Sequence, residues 1–418
     1  MKLVRVGIGA LVGFLVLAFG GVQLAGEAAM EIGAAIVLAV WAFAAVRAKG
    51  AETHWNPVYW PLLGLGAVAL AQQLLGLTIY PYATKVELLK WEAMLLLVFL
   101  FGEAFRTASQ AERFVWLLSG LSFGVSLFAI VQHFTFNGEL YWLFALPEGA
   151  GPFGPFVDRN HFAGFIELTV PLSLALIVGR ARERQRLLLL GLLIVVPTAA
   201  LVVSGSRGGI ISFLFEVVLL LFLQRAPRPG RNRLLGAAAV GLVAAAFVAW
   251  LGWSETLERF AELTAGNFSH DRRISMYRDT WKVFEHSPWI GTGLGTLVVA
   301  YPQYESYYDG RIVDHAHNDY LELLAETGVA GGLCGLAFVL VLVRRGLRNL
   351  AHAGAGSIGA VRAGALAGCA GILVHSFVDF NLHIPSNALL FLLLAVLATM
   401  PVKCGEDGEK QTAGTFPH

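Results

Sequence analysis

Two histidines spaced two apart, His315 and His317, stand in the run Val313-Asp314-His315-Ala316-His317-Asn318-Asp319-Tyr320, directly before an apolar segment that continues to Val343. An imidazole titrating near neutrality can take the proton of a hydroxyl. The same alternation, with Asp314 and Asp319 beside it, also occurs in zinc sites, but a third ligand would have to come from a distant segment. A capping or interfacial role at a helix entrance is the plainer reading. Upstream, Ser204-Gly205-Ser206-Arg207-Gly208-Gly209 is a Gly- and Ser-rich turn that opens a helix. Free N–H groups and the positive end of the helix dipole make such a turn an anion site, and the planar guanidinium of Arg207 suits phosphate oxygens. The alternative is an arginine reaching the membrane interface above tightly packed glycines. Another cation, Arg273 or its neighbour Arg272, opens a stretch in which Ile274, Tyr277, Trp281 and Phe284 share one helical face. That helix would lie on the membrane surface or the bundle and hold its arginine near a lipid phosphate.

Other polar groups are more ambiguous. Glu322 and Glu326, four apart, share a helical face and could orient a base or an acceptor. Asp158-Arg159-Asn160-His161 could bind substrate or cap the next helix through Asp158 or Asn160. Glu167 and Glu216 lie within apolar segments, must face the bundle interior or water, and could pair with a cation such as Arg207. Gly291-Thr292-Gly293-Leu294-Gly295 tempts a dinucleotide-binding reading, which fails because no strand-helix-strand unit surrounds it. Gly328 with Gly332, and Gly331 with Gly335, read as small-residue seams for helix packing.

The elements that must position these groups are membrane helices. The chain has 418 residues, 56% hydrophobic and 14% charged, against about 25% charged in ordinary soluble domains. Its mean hydropathy is +0.66. No soluble core needs that much apolar surface. Cys334, Cys369 and Cys404 lack metal or disulfide spacing and read as small core residues. The basic start lacks a convincing cleavage site, so the first segment is expected to be an anchor. With roughly 20 apolar residues needed per crossing, the chain divides into about twelve spans. They are 3–23, 30–46, 59–77, 86–105, 114–134, 162–178, 187–203, 208–223, 234–253, 320–343, 358–377 and 388–400.

Topology can be tested against charge. With the amino terminus in the cytoplasm and sides alternating, the inside connections carry Arg47 and Lys49, Arg106 and Arg113, the arginines of 180–186 and 225–233, then Arg344, Arg345 and Arg348, and Lys403. Every short inside loop is basic, as the positive-inside rule asks. Both termini are then cytoplasmic, 401–418 is a short cytoplasmic tail, and 254–319 is a long, partly helical loop on the periplasmic or extracellular side, between the ninth and tenth spans of a single membrane domain, 1–418. The polar clusters at 158–161, 204–209, 271–273, 315–317 and 379–383 all fall outside. A reaction there would need a donor already activated and tethered to lipid.

Taken in order, Ser206-Arg207-Gly208-Gly209, Arg273 with Tyr277, Pro288-Trp289-Ile290-Gly291-Thr292-Gly293, and His317-Asn318-Asp319-Tyr320-Leu321 through Gly328 and Gly331 resemble the O-antigen ligase and polymerase superfamily, across about 197–343. The resemblance implies an all-α, GT-C-like glycosyltransferase of the bacterial inner membrane, metal-independent and without cofactor. It would move a glycan from undecaprenyl diphosphate to a sugar hydroxyl at a periplasmic site. Arg207 and Arg273 match the arginines expected to hold the diphosphate, with Arg272 the alternative for the second, and His317 matches the histidine that activates the acceptor. Arg272, His315, Arg159, His161, Glu322 and Asp379 are the candidate substrate-binding residues around them. Stretches 153–161 and 375–379 resemble polysaccharide-polymerising members, which leans toward an O-antigen or exopolysaccharide polymerase, with a ligase to lipid A-core close behind. No nucleic-acid partner is expected. A solute transporter is the alternative of a different class, but it should show repeated halves with broken helices, and no internal repeat is visible.

Overall fold

The structure, a computed structural model, describes residues 1–48, 53–146, 151–180, 184–224, 272–308, 310–353 and 357–401, without the side chains of 178–180, 184–187 and 272. The helices are α1 (Lys2–Leu17), α2 (Leu24–Arg47), α3 (Tyr59–Leu74), α4 (Pro81–Ala104), α5 (Ala108–Phe134), α6 (Arg159–Arg180), α7 (Arg184–Ser204), α8 (Arg207–Leu223) and α9 (Arg272–His286). After the single turn α10 (Leu297–Ala300) come α11 (Asp319–His352), α12 (Ser357–His375) and α13 (Pro385–Thr399). The strands among the described residues are a minimal hairpin, Glu139–Leu140 against Phe144–Ala145. A helix stands on every expected span that falls within the described residues. The span 234–253, the loop residues 254–271 and the tail from 402 onward lie outside them. Among the described residues five helices, α2, α5, α6, α11 and α12, are long and apolar enough to cross a membrane.

Burial sorts the helices into a centre and a shell. Only 17% of the apolar window of α2 is covered by protein, against 83% in α6 and in α12, so α2 is left for lipid. Every residue of α13 is buried. Small residues let α12 press on α6: a side chain at Gly364 would run into the Pro171 carbonyl, and one at Gly368 into that of Glu167. Such close backbone approach is how helices associate where lipid removes the hydrophobic drive. Glu167 and Glu216 face this interior, both fully buried, and Glu216 lies over Gly371 of α12.

Three expectations change. The first span was read as 3–23, but α1 ends at Leu17, where Phe19 turns left-handed at φ 59° and the chain doubles back to α2. Gly328 is not a packing seam. It sits at φ 62°, ψ −163° and breaks α11, and a side chain there would come within 2.4 Å of the Trp289 carbonyl carbon. The bonds lost at the break are replaced by the 288–297 segment. Thr292 N and Gly293 N donate to the Ala325 and Glu326 carbonyls at 3.1 and 2.9 Å, and Val329 N and Ala330 N donate to the Pro288 and Trp289 carbonyls at 2.8 and 3.1 Å. Gln72 of α3 completes the splint, donating to the Ile290 and Glu326 carbonyls and accepting from Leu294 N. A broken helix at membrane depth is tolerated where neighbouring groups satisfy its backbone in this way. This is the task of the glycine-rich motif that mimics a nucleotide loop.

The third change concerns α9. Its inward face is Met276, Asp279, Thr280 and Val283, which pack with Leu297, Tyr301 and Ala316 in a small separate core. Ile274 and Trp281, from the expected apolar stripe, are 41% and 46% exposed. Asp279 can be buried because Lys282 Nζ, Ser306 N and Ser306 Oγ all donate to it at 2.7 Å. The apolar stripe is thereby split, Ile274 and Trp281 facing outward while Phe284 packs on the small core and Tyr277 reaches the His317 carbonyl.

Candidate active site

Asn318 opens α11 by accepting from Tyr320 N and Leu321 N at 3.1 and 3.0 Å, and its amide donates to the Phe377 carbonyl at 3.1 Å. His317 sits one residue ahead in the left-handed region, φ 49°, which few side chains adopt without a holding context. The context is Asp379, whose Oδ1 lies 3.2 Å from His317 Nδ1. If Nδ1 carries the proton toward that carboxylate, the lone pair of the ring is at Nε2, available to a hydroxyl. Burial alone would raise the Asp379 carboxyl. The His317 hydrogen bond and the imidazoles of His161 and His375 outweigh it and hold the group well below the ordinary carboxylate range.

Arg207 begins α8 behind the N-cap Ser206, whose Oγ accepts from Gly209 N at 3.2 Å and donates to Asn160 Oδ1 of α6 at 2.8 Å. Gly208 is required by contact: a side chain there would lie 2.8 Å from His375 Nε2. The N-terminus of α8 is thus wedged between α6 and α12, beside His161. The His161 ring stands edge-on to Phe380, with centroids 4.7 Å apart, while His317 approaches the same ring at 4.8 Å and His315 stacks on it at 4.3 Å. Arg273 lies one turn before Tyr277, whose hydroxyl donates to the carbonyls of His317 and Phe377 at 2.9 and 3.3 Å. Segments from α6, α8, α9, α11 and the turn after α12 therefore meet at one end of the bundle.

The remaining candidates divide. His315 and Glu322 are partnered with each other, Nδ1 to Oε1 at 2.7 Å, and Ala316 N donates to the second oxygen of Glu322 at 2.8 Å. His383, not among the expected site residues, joins them with Nε2 3.3 Å from Glu322 Oε1 and Nδ1 2.9 Å from Asp319 Oδ1. Burial works against the charge on both imidazoles, yet Glu322 and Asp319 push His383 up to about 10, and Glu322 raises His315. Glu326 serves the splint, accepting from Gly295 N and Leu297 N at 2.9 Å. Glu167 bonds His375 at 2.8 Å deep in the bundle instead of meeting Arg207. Asp158 behaves as a cap, its Oδ1 accepting from Asn160 N. Arg159 is half-buried at the head of α6, His161 is only 6% exposed, and the Arg272 side chain lies outside the described residues.

Residues 190–336 match the family model described as O-antigen ligase. Over that segment the chain is similar to the O-antigen ligase family. No curated protein matches it by sequence.

The O-antigen ligase segment carries Arg207, Arg273 and His317, whereas Asp379, Phe380 and His383 follow it and Arg159 and His161 precede it. Groups from both sides of the matched segment complete the histidine's surroundings. The polar run at 379–383 was visible in the sequence as an outside cluster. What could not be read was that its carboxylate reaches His317 and its histidine reaches Asp319. A cavity of about 190 Å³ bounded by α3, α4, α11 and α13 has apolar walls that include Leu65, Trp91 and Phe338, and its polar lining includes Asp319, Glu326 and His383.

Proposed function

We propose that this protein transfers a glycan from undecaprenyl diphosphate to a sugar hydroxyl at the periplasmic face of the bacterial inner membrane, within a bundle of about twelve spans whose two ends are cytoplasmic. The observation that carries the reading is the His317–Asp379 pair, linked through Phe380 to His161, whose neighbour Asn160 accepts from Ser206 beside Arg207, and linked to the Arg273 segment through Tyr277.

In the reaction, His317 Nε2 accepts the proton of the acceptor hydroxyl as its oxygen attacks the anomeric carbon. Asp379 orients the ring and stabilises the imidazolium that forms. The bond to the lipid diphosphate breaks in the same displacement, with inversion and no covalent enzyme intermediate. Arg207, the N–H groups that open α8, and Arg273 or Arg272 take up the charge that develops on the departing diphosphate, the kind of fixed stabilisation that usually contributes most. The transfer step itself then requires no metal. His315, Arg159, His161 and Glu322 shape the surrounding pocket.

Growth of a lipid-linked repeat is the acceptor reaction favoured by the likeness of 153–161 to polymerising relatives, and transfer to lipid A-core is the second. Against a solute carrier stands the engagement of the buried carboxylate of Glu167 by His375 and the position of Glu216 directly on Gly371, so that among the described residues neither lines a polar path. The test is purified protein with undecaprenyl-diphosphate glycan and either lipid A-core or a second lipid-linked repeat. One acceptor should become extended, and Arg207→Ala, Arg273→Ala and His317→Ala should each abolish extension at normal abundance. Transfer retained by all three variants sinks the reading.

A further inference from the structure

We propose that His315, Glu322 and His383 form a binding site for a divalent cation of the zinc type, which fastens the loop carrying His317 to the start of α13. The site goes beyond glycan transfer and does not depend on it. Glu322 Oε1 lies between two imidazoles, 2.7 Å from His315 Nδ1 and 3.3 Å from His383 Nε2, and the three donor atoms fall within 4.8 Å of one another. Ligands on one tetrahedral zinc, bonded at about 2.0–2.1 Å, stand about 3.3 Å apart. The His383–Glu322 separation has that value already, and the His315–Glu322 contact would open by about half an ångström to reach it.

The surroundings are those of a ligand set. His383 Nδ1 faces Asp319 Oδ1 at 2.9 Å and its Nε2 faces Glu322 Oε1 at 3.3 Å, so the ring is held by one carboxylate with its second nitrogen aimed at another. Either a proton on Nε2 or a metal ion that displaces it bridges this pair, since metal ligation takes the neutral imidazole and the carboxylate. Asp319 is itself fixed by Ser376 Oγ at 2.6 Å and Leu382 N at 3.3 Å, and Glu322 by Ala316 N at 2.8 Å. A carboxylate behind an imidazole is the arrangement that orients metal-bound histidines. Asp319, Glu322 and Glu326, only 5, 1 and 2% exposed, all act on His383, while the exposed Asp314 acts on His315. Buried carboxylates gathered in this way call for a compensating cation. The side chains of His315 and His383 remain 29% and 25% exposed, which leaves an entry path and room for a water as fourth ligand.

The test uses full-length protein in detergent, stripped with a chelator and re-equilibrated with Zn²⁺ or, separately, Co²⁺. Wild type should retain about one zinc per chain and give the intense visible absorption of tetrahedral cobalt. His383→Ala and Glu322→Gln should lose both signals, His317→Ala should keep them, and Asp319→Asn should bind about 10–100-fold more weakly. Zinc should also raise the unfolding midpoint of the wild type where magnesium does not. Wild type that holds no more zinc than His383→Ala, or whose midpoint zinc leaves unmoved, overturns the proposal and leaves a proton as the bridge between His383 and Glu322. The midpoint is read on unaltered protein, so a variant that fails to fold does not decide the matter, and every readout is independent of glycan transfer.

Discussion

The Tyr277 hydroxyl donates to the backbone carbonyl of His317 at 2.9 Å, joining a surface helix to the residue in the most unusual backbone conformation of the site. Arg273 is one turn away on the same helix. The proposed diphosphate grip and the proposed base are thus two ends of one mechanical link. Tyr277→Phe removes a single oxygen and should leave abundance unchanged. A hydrogen bond of this kind is worth about 0.5–1.5 kcal/mol net, so turnover should fall roughly 2- to 10-fold, measured as initial rates of acceptor extension. An unchanged rate would show the link to be idle.

Asp379→Asn keeps the shape of the turn after α12 but removes the charge that faces His317 Nδ1. General-base assistance contributes about 10²–10⁴-fold, and loss of the orienting carboxylate should cost a large part of it. The loss should appear in kcat, with the donor KM little changed. A pure KM effect would instead assign Asp379 to substrate binding.

Gly328→Ala asks an L-residue to hold φ 62° with its methyl against the Trp289 carbonyl. Strain of about 1–3 kcal/mol is expected from the backbone alone, and the splint between 288–297 and α11 should loosen. Detergent-solubilised protein should unfold at a lower temperature. Gly120→Ala, where a methyl meets nothing within 4 Å, is the control and should leave the midpoint in place.

Asp279 predicts a pH dependence. Burial alone would raise its carboxyl, but the hydrogen bonds from Lys282 and Ser306 outweigh it and hold the group below its ordinary value. A depressed carboxylate stabilises the fold fully above its unfolded pKa of about 3.9, and the contribution fades as pH falls through that value toward the lower folded one. Hydrogen exchange in 272–286 and 301–306 should therefore accelerate on acidification below about pH 4. Asp279→Asn should show raised exchange already at neutral pH and little further change.

The apolar helices were legible because hydropathy is a local quantity summed over about twenty residues. Arg207, Arg273 and His317 were legible as types at the mouths of helices. Their surroundings were not. Asp379 and His317 are 62 positions apart and meet only because Phe380 is packed among three imidazoles, which no local pattern encodes. The sequence did not reveal that the polar Asp279 is a buried residue of α9, its cost met by Lys282 and by Ser306 across the fold. The sequence pairs His315 with His317 as possible zinc ligands, whereas the fold groups His315 with Glu322 and His383, which approach it only once α11 and α13 have packed.

The interruption at Gly328 bears on biogenesis. Its stranded amides and carbonyls find partners only when α3 supplies Gln72 and the external segment folds back onto the bundle. A nascent chain leaving the insertion machinery therefore exposes unmet peptide groups to hydrocarbon until segments some 250 positions apart have docked, Gln72 with Glu326 among them. Quality-control proteases have a window in which to recognise chains that never complete this closure, so lesions in α3, remote from any reacting atom, should deplete the protein from cells.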